Sequence, residues 1–399
     1  MSVKVMAVNA GSSSLKFKLY EMPEEKVICK GIADRIGHED GIFEIKHDGK
    51  EKKIVTPIMD HAVGVQLLLD NLISEGIIKS LDEISAVGHR IVQGGSYFAD
   101  SAIFDDDTEA KIEELIPLAP LHNAAHLIGF RAFKKVLPNV PSIAVFDTAF
   151  HQTMAPVDYL FPINYDYYKN YKIRRYGAHG TSHLYLSQEA KKYYTKESGN
   201  KLISCHLGSG ASITAILDGK CVVTSMGLTP LGGIMMGTRT GDMDPSVFNY
   251  ICKCTNKSAE DVYQELNKKS GMLGLSGVSN DTRDILKAEA EGNELCKLTN
   301  DMFVRRVCDF IGQYYVRLGG CDVLVFSAGI GENVDYYRTR ICNELKEALG
   351  VEIDETINTG LRGKEAVIST ANSKIKIVVI PTDEEVMIAR DAVRLLNLK

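Results

Sequence analysis

Residues Val3 to Tyr20 read VKVMAVNAGSSSLKFKLY: an apolar run, a Gly-Ser-Ser-Ser break and a second run of alternating character. The alternation of Leu15, Phe17 and Leu19 with lysines predicts two β-strands joined by a tight hairpin. Gly11 allows the backbone of the turn to approach a ligand, and the serines add hydroxyl groups beside backbone N–H groups. The turn is therefore either a phosphate-binding nest or an ordinary serine-rich hairpin.

A second copy of this pattern begins roughly 200 residues later, about half the chain away. Ile203 to Val223 reads ISCHLGSGASITAILDGKCVV, with the same order of apolar strand, Gly-Ser turn and alternating strand. The repetition predicts an internal duplication with a phosphate-binding hairpin in each half, facing each other across a nucleotide-binding cleft. The chain has no G-x-x-x-x-G-K-[ST] motif, so this geometry differs from a Walker loop.

The composition is that of a globular protein with two domains: 399 residues, 45% hydrophobic and 25% charged. A net charge of -6 gives no electrostatic argument for nucleic acid or an anionic membrane as a partner. The nine cysteines are scattered, and Cys252 and Cys254 lack the second pair that a zinc site needs. With no signal-like or membrane-spanning segment, we expect a cytoplasmic protein with reduced thiols.

Two charged residues lie at the carboxyl ends of predicted strands, where open α/β sheets carry their functional residues. Ile84 to Gly95, ISAVGHRIVQGG, delivers Arg90, which is either an anion clamp or a residue in a surface salt bridge. Ser142 to Phe150, SIAVFDTAF, is a buried strand that ends at Asp147. A carboxylate there is unfavourable unless it is paired, solvated or bound to a metal, and we favour association with Mg²⁺ over a turn cap.

Several polar segments lie between the predicted strands. LAPLHNAAH leads into a helix that begins near Leu121 and His122, and YGAHGTSH is predicted to be a polar active-site loop with His179 and His183. Zinc is disfavoured because no third ligand is in view. TSMGLTPLGGIMMGTRTGDMDP is an irregular loop carrying Arg239, and its length and apolar residues indicate a functional loop.

In the last third of the chain, the sequence pattern predicts helices on either side of one more strand. One face of a long amphipathic helix is formed by Phe303, Val307, Phe310, Tyr314 and Leu318. DVLVFSAGIGEN predicts a strand, a Gly-x-Gly turn and a helix start. A closing helix is predicted to begin with a capping box of Thr382 and Glu385 and to bury Val386, Ala389, Val393 and Leu396.

The segments NAGSSSLKF, GHRIVQGG, APLHN, VFDTAFHQTM, YGAHGTSH, TPLGGIMMGTRTGDMDP, SNDTRD, AGIGEN and IPTDEE follow the order seen in acetate kinases, which the whole chain resembles. The resemblance implies the acetate and sugar kinase, heat-shock ATPase and actin superfamily. It implies an α/β fold of two duplicated ribonuclease-H-like domains around a nucleotide cleft. Domain I would comprise residues 1–150 plus 384–399, and domain II residues 151–383, with the adenosine-binding segments and an expected dimer interface.

The resemblance also implies roles for individual residues. It implies catalytic roles for Arg90, Asp147, His179 and Arg239, and metal association for Asn9, Asp147 and Glu384. Contacts with the ATP phosphates would come from Asn9, Ser12, Ser14, Lys16, His206, Gly208, Ser209 and Gly210. Adenosine would be held by Asp281, Thr282, Arg283, Gly329, Ile330, Gly331 and Asn333. Acetate would be bound by Arg90, with its methyl group in a pocket of Val92, Leu121, Ala178 and Pro230.

The implied reaction is reversible, direct in-line transfer of the ATP γ-phosphoryl group to acetate, giving acetyl phosphate and ADP. A carboxylate acceptor is ionised at pH 7 and needs no general base, unlike a sugar hydroxyl. Positioning and charge neutralisation by arginines, histidine and Mg²⁺ (or Mn²⁺) would supply the catalysis. A homodimer is also implied.

Some positions depart from the family pattern. Ala178 stands where phenylalanine is usual, which enlarges the pocket and makes propionate or butyrate an alternative acceptor. Ser209 and Ala211 replace a common asparagine and serine in the second hairpin, while Gln93 and Gly232 replace a histidine and a glutamate. Two further possibilities stay open: pyrophosphate as the phosphoryl donor, and an actin-like ATPase that is not a kinase.

Overall fold

In the computed structural model, which describes residues 2–120 and 122–398, the chain divides into two units. The first is formed by Met1–Phe150 with Asp383–Lys399, and the second by His151–Thr382. The closing helix therefore belongs to the unit that contains the first hairpin.

Both units are mixed α/β structures. The strands are β1 Val3–Ala10, β2 Ser14–Met22, β3 Lys26–Asp34, β4 Ile42–His47, β5 Lys50–Val55, β6 Ile84–Ile91, β7 Ala102–Ile103, β8 Ser142–Phe146, β9 Lys201–Leu207, β10 Ala211–Leu217, β11 Lys220–Thr224, β12 Val323–Ser327, β13 Ala366–Val367 and β14 Lys376–Val379. The α-helices are α1 His61–Ser74, α2 Asp106–Glu114, α3 Asn123–Val136, α4 Pro156–Tyr159, α5 Tyr165–Tyr171, α6 Gly180–Glu189, α7 Pro245–Thr255, α8 Ala259–Lys268, α9 Gly271–Ser276, α10 Thr282–Ala290, α11 Glu294–Leu318, α12 Ala328–Asn333, α13 Asp335–Leu349, α14 Glu355–Asn358 and α15 Glu384–Leu396. Short 3₁₀ helices occupy Leu81–Glu83, Ile116–Leu118, Ala149–Thr153 and Ala190–Tyr193.

The two sheets repeat one topology. The first has the strand order β5-β4-β3-β2-β1-β6-β8-β7 and the second β11-β10-β9-β12-β14-β13. In each, the opening strand pairs antiparallel with its hairpin partner and parallel with a later strand, and an antiparallel edge strand follows. The predicted duplication is therefore confirmed, with β4 and β5 extending the first sheet.

Both predicted hairpins are present. β1 and β2 pair from Val3↔Met22 to Ala10↔Leu15, and alternate residues of β2 are buried as the pattern requires. In the second unit β9 pairs with β10, and β10 turns into β11 at Asp218 and Gly219. These two residues have φ of 47° and 79°, which is the conformation of a tight hairpin turn.

Each unit has its own hydrophobic core. The first packs the inner face of its sheet against α1 and α3, and the second packs its sheet against α11 and α13. The predicted face of α11 lies in the second core, where Phe303, Val307 and Tyr314 are buried. This long helix forms because its apolar residues recur at helical spacing.

The structure corrects the prediction for the closing helix. Asp383, not Thr382, caps α15, because its side chain accepts from Val386 N at 3.1 Å. Asp383 also accepts from Tyr20 Oη at 3.0 Å and Lys18 Nζ at 3.1 Å, which fixes it in this role. Glu385 pairs with Lys18 instead of closing a capping box. The buried residues of the helix are Val386, Met387, Ile388, Ala389 and Ala392, while Val393 and Leu396 are only half-buried.

Two other local predictions were partly wrong. The Gly-x-Gly segment of AGIGEN is not a turn but lies within α12, and the break from strand to helix falls at Ala328, with φ of 63°. In YGAHGTSH only the first half is a loop, because α6 begins at Gly180. Helical hydrogen bonding satisfies more backbone groups here than a loop would, although both stretches are rich in glycine.

His89 provides a test of the first core. It lies on β6 within an aromatic cage, with ring centroids 5.9, 5.5 and 5.4 Å from those of Phe104, Phe130 and Phe133. Burial lowers its pKa to about 3. His89 stays neutral in the folded state but takes up a proton in the unfolded state as the pH falls below about 6.5. The free energy of unfolding should therefore fall, by about 2 kcal/mol at pH 5 from this residue alone.

We expect the free energy of unfolding of His89→Leu to fall by about 2 kcal/mol less than that of the natural protein between pH 7 and pH 5. Urea unfolding at both pH values measures this. The control is His38→Gln, because His38 is exposed. Equal acid sensitivity in His89→Leu and the natural protein would contradict the assignment.

Candidate active site

Three of the predicted residues meet at one edge of the first sheet. β1 pairs parallel with β6, and β6 pairs parallel with β8. The carboxyl ends of these strands therefore lie together, and they carry Asn9, Arg90 and Asp147. Glu384, the first residue of α15, reaches the same place, with its Oε2 3.9 Å from Arg90 Nε.

The Arg90 guanidinium is paired with Asp147 in a two-pronged ion pair. Arg90 Nη2 donates to Asp147 Oδ2 at 2.7 Å, and Nε donates to Oδ1 at 3.1 Å. The exposed fractions of the two side chains are 21% and 1%. Burial opposes the charge on Arg90, but Asp147 and Glu384 outweigh it and raise the arginine pKa. Arg90 is therefore in a salt bridge, but a largely buried one at the ends of β6 and β8, and the roles of Arg90 as an anion clamp and of Asp147 in Mg²⁺ association stay predictions.

Glu384 is held in an environment that disfavours its negative charge. Burial raises its pKa to about 7; Arg90 opposes this, and Asp147, Glu385 and Asp383 add to it. An added cation would favour the ionised form. The carboxylates of Asp147 and Glu384 and the amide of Asn9 supply the oxygen donors that Mg²⁺ prefers. The residues present therefore fit Mg²⁺.

The donor set is incomplete for a cage made only of protein. Within residues 2–120 and 122–398, no three His, Cys, Asp or Glu side chains are grouped so that they could hold a metal ion. Mg²⁺ commonly keeps several waters and takes further oxygens from substrate phosphates.

The first hairpin turn is short, and two hydrogen bonds at Gly11 hold its backbone in place. Gly11 N donates to Ser14 O at 2.7 Å, and His61 Nε2 donates to Gly11 O at 2.7 Å. A Cβ at Gly11 would lie 3.1 Å from Ser14 Oγ, so close packing accounts for the glycine here. Ser12 and Lys16 are exposed on this turn.

The second hairpin lies against two other glycine-containing segments of the second unit. A Cβ at Gly208 would lie 3.6 Å from Ala328 Cβ, at the start of α12. Gly237 N, in the loop before Arg239, donates to Ser209 O at 3.0 Å. The structure thus brings together the second turn, the AGIGEN segment and the MGTR loop.

His179 and Arg239 lie beside the same turn. A Cβ at Gly210 would be 3.4 Å from His179 Nε2 and 3.5 Å from Arg239 Nη1. His179 adopts φ of 56°, a strained conformation of the kind found at functional sites, and its ring stacks on His206 at 4.2 Å. Arg239 Nη1 donates to Pro230 O at 3.4 Å.

The predicted adenosine residues occupy two helix starts of the second unit. Asp281 caps α10 and pairs with Arg283 at 2.5 Å, while Thr282 is buried. Gly329, Ile330, Gly331 and Asn333 lie in α12, where Asn333 Nδ2 donates to Gly329 O at 3.0 Å. Asn280 O lies 3.4 Å from the Cβ position of Gly237, which joins the two regions through the MGTR loop.

The residues predicted for the methyl pocket belong to different units of the chain. Val92 follows β6 and is buried in the first unit. Ala178 is buried in the core of the second unit, and Pro230 is half-buried there. Leu121 lies outside the described residues.

Some residues of the site were missed at the sequence level. Ser182 Oγ lies 2.8 Å from His206 Nδ1, and Ser212 Oγ lies 2.9 Å from His179 Nδ1. Glu332 Oε1 accepts from Ala328 N at 2.7 Å and from Thr382 N at 2.9 Å. A signal was available, because the apolar strands β9 and β10 carry polar residues at alternate positions, at Ser204, His206, Ser212 and Thr214.

Together these features define a class of protein. Each of the two duplicated α/β units has a Gly-Ser turn after its first strand. The first unit adds an arginine–carboxylate pair at its strand ends, and the second adds an arginine and a histidine beside its turn. This combination is typical of a phosphotransferase. The profile described as "Acetokinase family" matches residues 4–390. The chain belongs to the acetokinase family.

Individual relatives agree with this membership. The acetate kinase of Anoxybacillus flavithermus (strain DSM 21510 / WK1) is 53% identical over 396 residues, which is 99% of both chains. The crystal structure of Porphyromonas gingivalis acetate kinase has a TM-score of 0.94 and 42% identity, covering 99% of this chain and 100% of the other. A propionate kinase from Francisella tularensis subsp. tularensis SCHU S4 has a TM-score of 0.92 and 40% identity, covering 98% of each chain.

Among the helices of residues 2–120 and 122–398, none has both the length and the apolar character needed to span a membrane.

Proposed function

We infer that the protein transfers the γ-phosphoryl group of ATP to acetate, reversibly, giving acetyl phosphate and ADP. The observation that carries this is the set of cationic and carboxylate groups beside two phosphate-type turns, in a chain 53% identical over its length to an acetate kinase. Acetate is ionised at pH 7, so its oxygen attacks phosphorus without a general base. The bond from phosphorus to the bridging oxygen of ADP breaks as the new P–O bond forms.

We propose that catalysis here is positioning and charge stabilisation. Arg90 orients the acceptor carboxylate, and Asp147 fixes the plane of its guanidinium through the 2.7 Å contact. Arg239 and His179, both beside the turn at Gly210, stabilise charge on the transferring phosphoryl oxygens. Val92, Leu121, Ala178 and Pro230 are proposed to contact the methyl group.

We propose that Asp147 and Glu384, with Asn9, associate with Mg²⁺. When bound, this ion would neutralise phosphate charge. The raised pKa of Glu384 supports the assignment, because a cation would relieve the repulsion among these acids. The two Gly-Ser turns would bind phosphates through Ser12, Ser14, Lys16, His206, Gly208, Ser209 and Gly210. Adenosine would lie against the starts of α10 and α12.

We also propose that the protein works as a cytoplasmic homodimer. Large apolar side chains exposed next to each other on the second unit support association: Val157 and Val316 are 80% and 78% exposed, and the residues that follow them, Asp158 and Arg317, form an ion pair.

A longer acid is the second candidate acceptor. Ala178 favours it, because alanine leaves more room than phenylalanine, and a methylene group changes the free energy of apolar recognition by about 1 to 3 kcal/mol. The test is acyl phosphate formation from Mg-ATP with acetate, propionate and butyrate, trapped as hydroxamates, for the natural protein and Ala178→Phe. We expect the highest kcat/KM with acetate in the natural protein. A higher value with a longer acid, reversed in Ala178→Phe, would reassign the substrate.

A further inference from the structure

The Glu332 side chain joins two segments of the second unit that lie 50 residues apart in the sequence. Its Oε1 atom accepts from Ala328 N at 2.7 Å and from Thr382 N at 2.9 Å. The same oxygen lies 3.3 Å from Ser327 Oγ. Ala328 begins α12, whereas Thr382 follows β14 and is the last residue of the unit. One carboxylate oxygen therefore ties the start of the helix to the segment after the strand.

The contact with Ala328 supports a backbone conformation that alanine rarely adopts. Ala328 has φ of 63°, in the left-handed region that is unfavourable for a residue with a Cβ. Such a conformation persists where the surrounding structure imposes it. The first N–H groups of a helix lack partners within the helix, and the Glu332 side chain supplies one for Ala328. Glu332 therefore helps to set the backbone from which Gly329 and Ile330 continue.

The contact with Thr382 extends the network to the second hairpin. Thr382 Oγ1 lies 2.7 Å from Ser182 Oγ, and this serine oxygen lies 2.8 Å from His206 Nδ1. His206 lies at the end of β9, directly before the turn of that hairpin. The contacts that begin at Glu332 thus connect the start of α12 with the strand that leads into the second turn.

We propose that Glu332 is a positioning residue that holds the start of α12 in the geometry that binds the nucleotide. This inference rests on the proposed function, in which Gly329 and Ile330 contact adenosine and His206 contacts the phosphates. A nucleotide that contacts both segments binds best when their relative position is fixed in advance. Acetate is proposed to contact different residues, so Glu332 should affect the affinity for nucleotide and not that for acetate.

The proposed role requires an oxygen acceptor at the position of Oε1. Both backbone donors to Glu332 are uncharged N–H groups, so the amide oxygen of glutamine can replace the carboxylate oxygen. Aspartate keeps the negative charge, but its side chain is one methylene shorter and its carboxylate falls short of both groups. Glu332→Gln and Glu332→Asp therefore separate the role of the acceptor from that of the charge.

The first test is hydrogen–deuterium exchange, read at residue level by mass spectrometry, which does not depend on activity. We expect the amides of Ala328 and Thr382 to exchange about tenfold faster in Glu332→Ala than in the natural protein, and at nearly the natural rate in Glu332→Gln. If the alanine variant does not fold, Glu332→Asp gives the same comparison. Unchanged exchange at both amides would overturn the proposal.

The second test is the Kd for Mg-ADP, measured by titration calorimetry. We expect Glu332→Ala to weaken binding about tenfold, Glu332→Gln to restore most of the affinity, and Glu332→Asp to resemble the alanine variant. In the hydroxamate assay, the KM for acetate should change less than about twofold in all three variants. Glu347→Ala is the control, because Glu347 is an exposed glutamate on α13.

The outcomes distinguish this inference from the proposed function. An unchanged Kd in Glu332→Ala, an equal loss in the alanine and glutamine variants, or an equal weakening for ADP and acetate would overturn the role of Glu332. The expected pattern of ADP binding in a protein that forms no acyl phosphate would support that role and contradict the proposed function.

Discussion

Replacing Arg239 by alanine is expected to lower kcat by about 10²- to 10³-fold, with a much smaller effect on the KM for ATP. The guanidinium lies beside Gly210 in the second phosphate turn, where charge develops on the transferring group. An interaction made mainly in the transition state affects kcat more than ground-state binding. The loop itself should remain in place, because Met236 N donates to the backbone oxygen of residue 239 at 3.0 Å.

Two companion variants sharpen this experiment. Arg239→Lys keeps the charge but loses the planar fork, so an intermediate kcat is expected. Arg305→Ala is the matched control, because Arg305 is 65% exposed and pairs with Glu344 on the surface of the second unit. Steady-state kinetics with hydroxamate trapping gives kcat for all three. A near-normal kcat for Arg239→Ala would remove Arg239 from the catalytic assignment.

Replacing Asp147 by alanine is expected to abolish most activity and to destabilise the first unit by about 3 kcal/mol. Asp147 is 1% exposed and holds Arg90 by two hydrogen bonds, so its loss leaves a largely buried guanidinium facing Glu384 at the longer distance of 3.9 Å. The free energy of unfolding depends on whether a buried charge is left without its partner, whereas kcat depends on whether Arg90 is present and correctly oriented.

The double variant Arg90→Met with Asp147→Ala separates stability from catalysis. Removing both charges should restore much of the stability, because the unpaired buried charge left by the single variant is gone. Activity should stay low, because the group proposed to orient the acceptor is absent. Urea unfolding and hydroxamate assays on the two single variants and the double variant measure this. Recovery of activity in the double variant would contradict the role assigned to Arg90.

The sequence predicts strand pairing correctly where apolar and polar side chains alternate along a strand. Leu15, Phe17 and Leu19 fix the register of the first hairpin, because a shift of one residue would turn all three towards solvent. The repeated pattern after Ile203 predicted the second hairpin, but β9 and β10 are buried on both faces, so alternation does not mark a solvent-facing side there. Parallel strands then bring their carboxyl ends together, so the meeting of Arg90 and Asp147 followed from the order of strands.

The missed features depend on contacts between distant segments. Thr382 and Asp383 are both acceptable helix caps, and Asp383 is selected because Lys18 and Tyr20, on β2, bond to it. The polar positions of β10 are visible in the sequence, but the hydrogen bonds that join His179 and His183 to Ser212 depend on how α6 packs beside that strand, which the local pattern of neither segment encodes. Sequence reasoning discounted the His179 and His183 pair as a zinc site, and a hydroxyl between the two rings explains their spacing of four residues.

The most direct test is to measure ADP and acyl phosphate formed from Mg-ATP with and without acetate. Phosphoryl transfer to the carboxylate predicts that ADP forms only when acetate is present, with one acetyl phosphate for each ADP. The hydroxamate assay and a coupled ADP assay on the same samples give this ratio. Equal rates of ADP formation with and without acetate, and no hydroxamate, would contradict the proposed function and favour an ATPase that has no acid substrate.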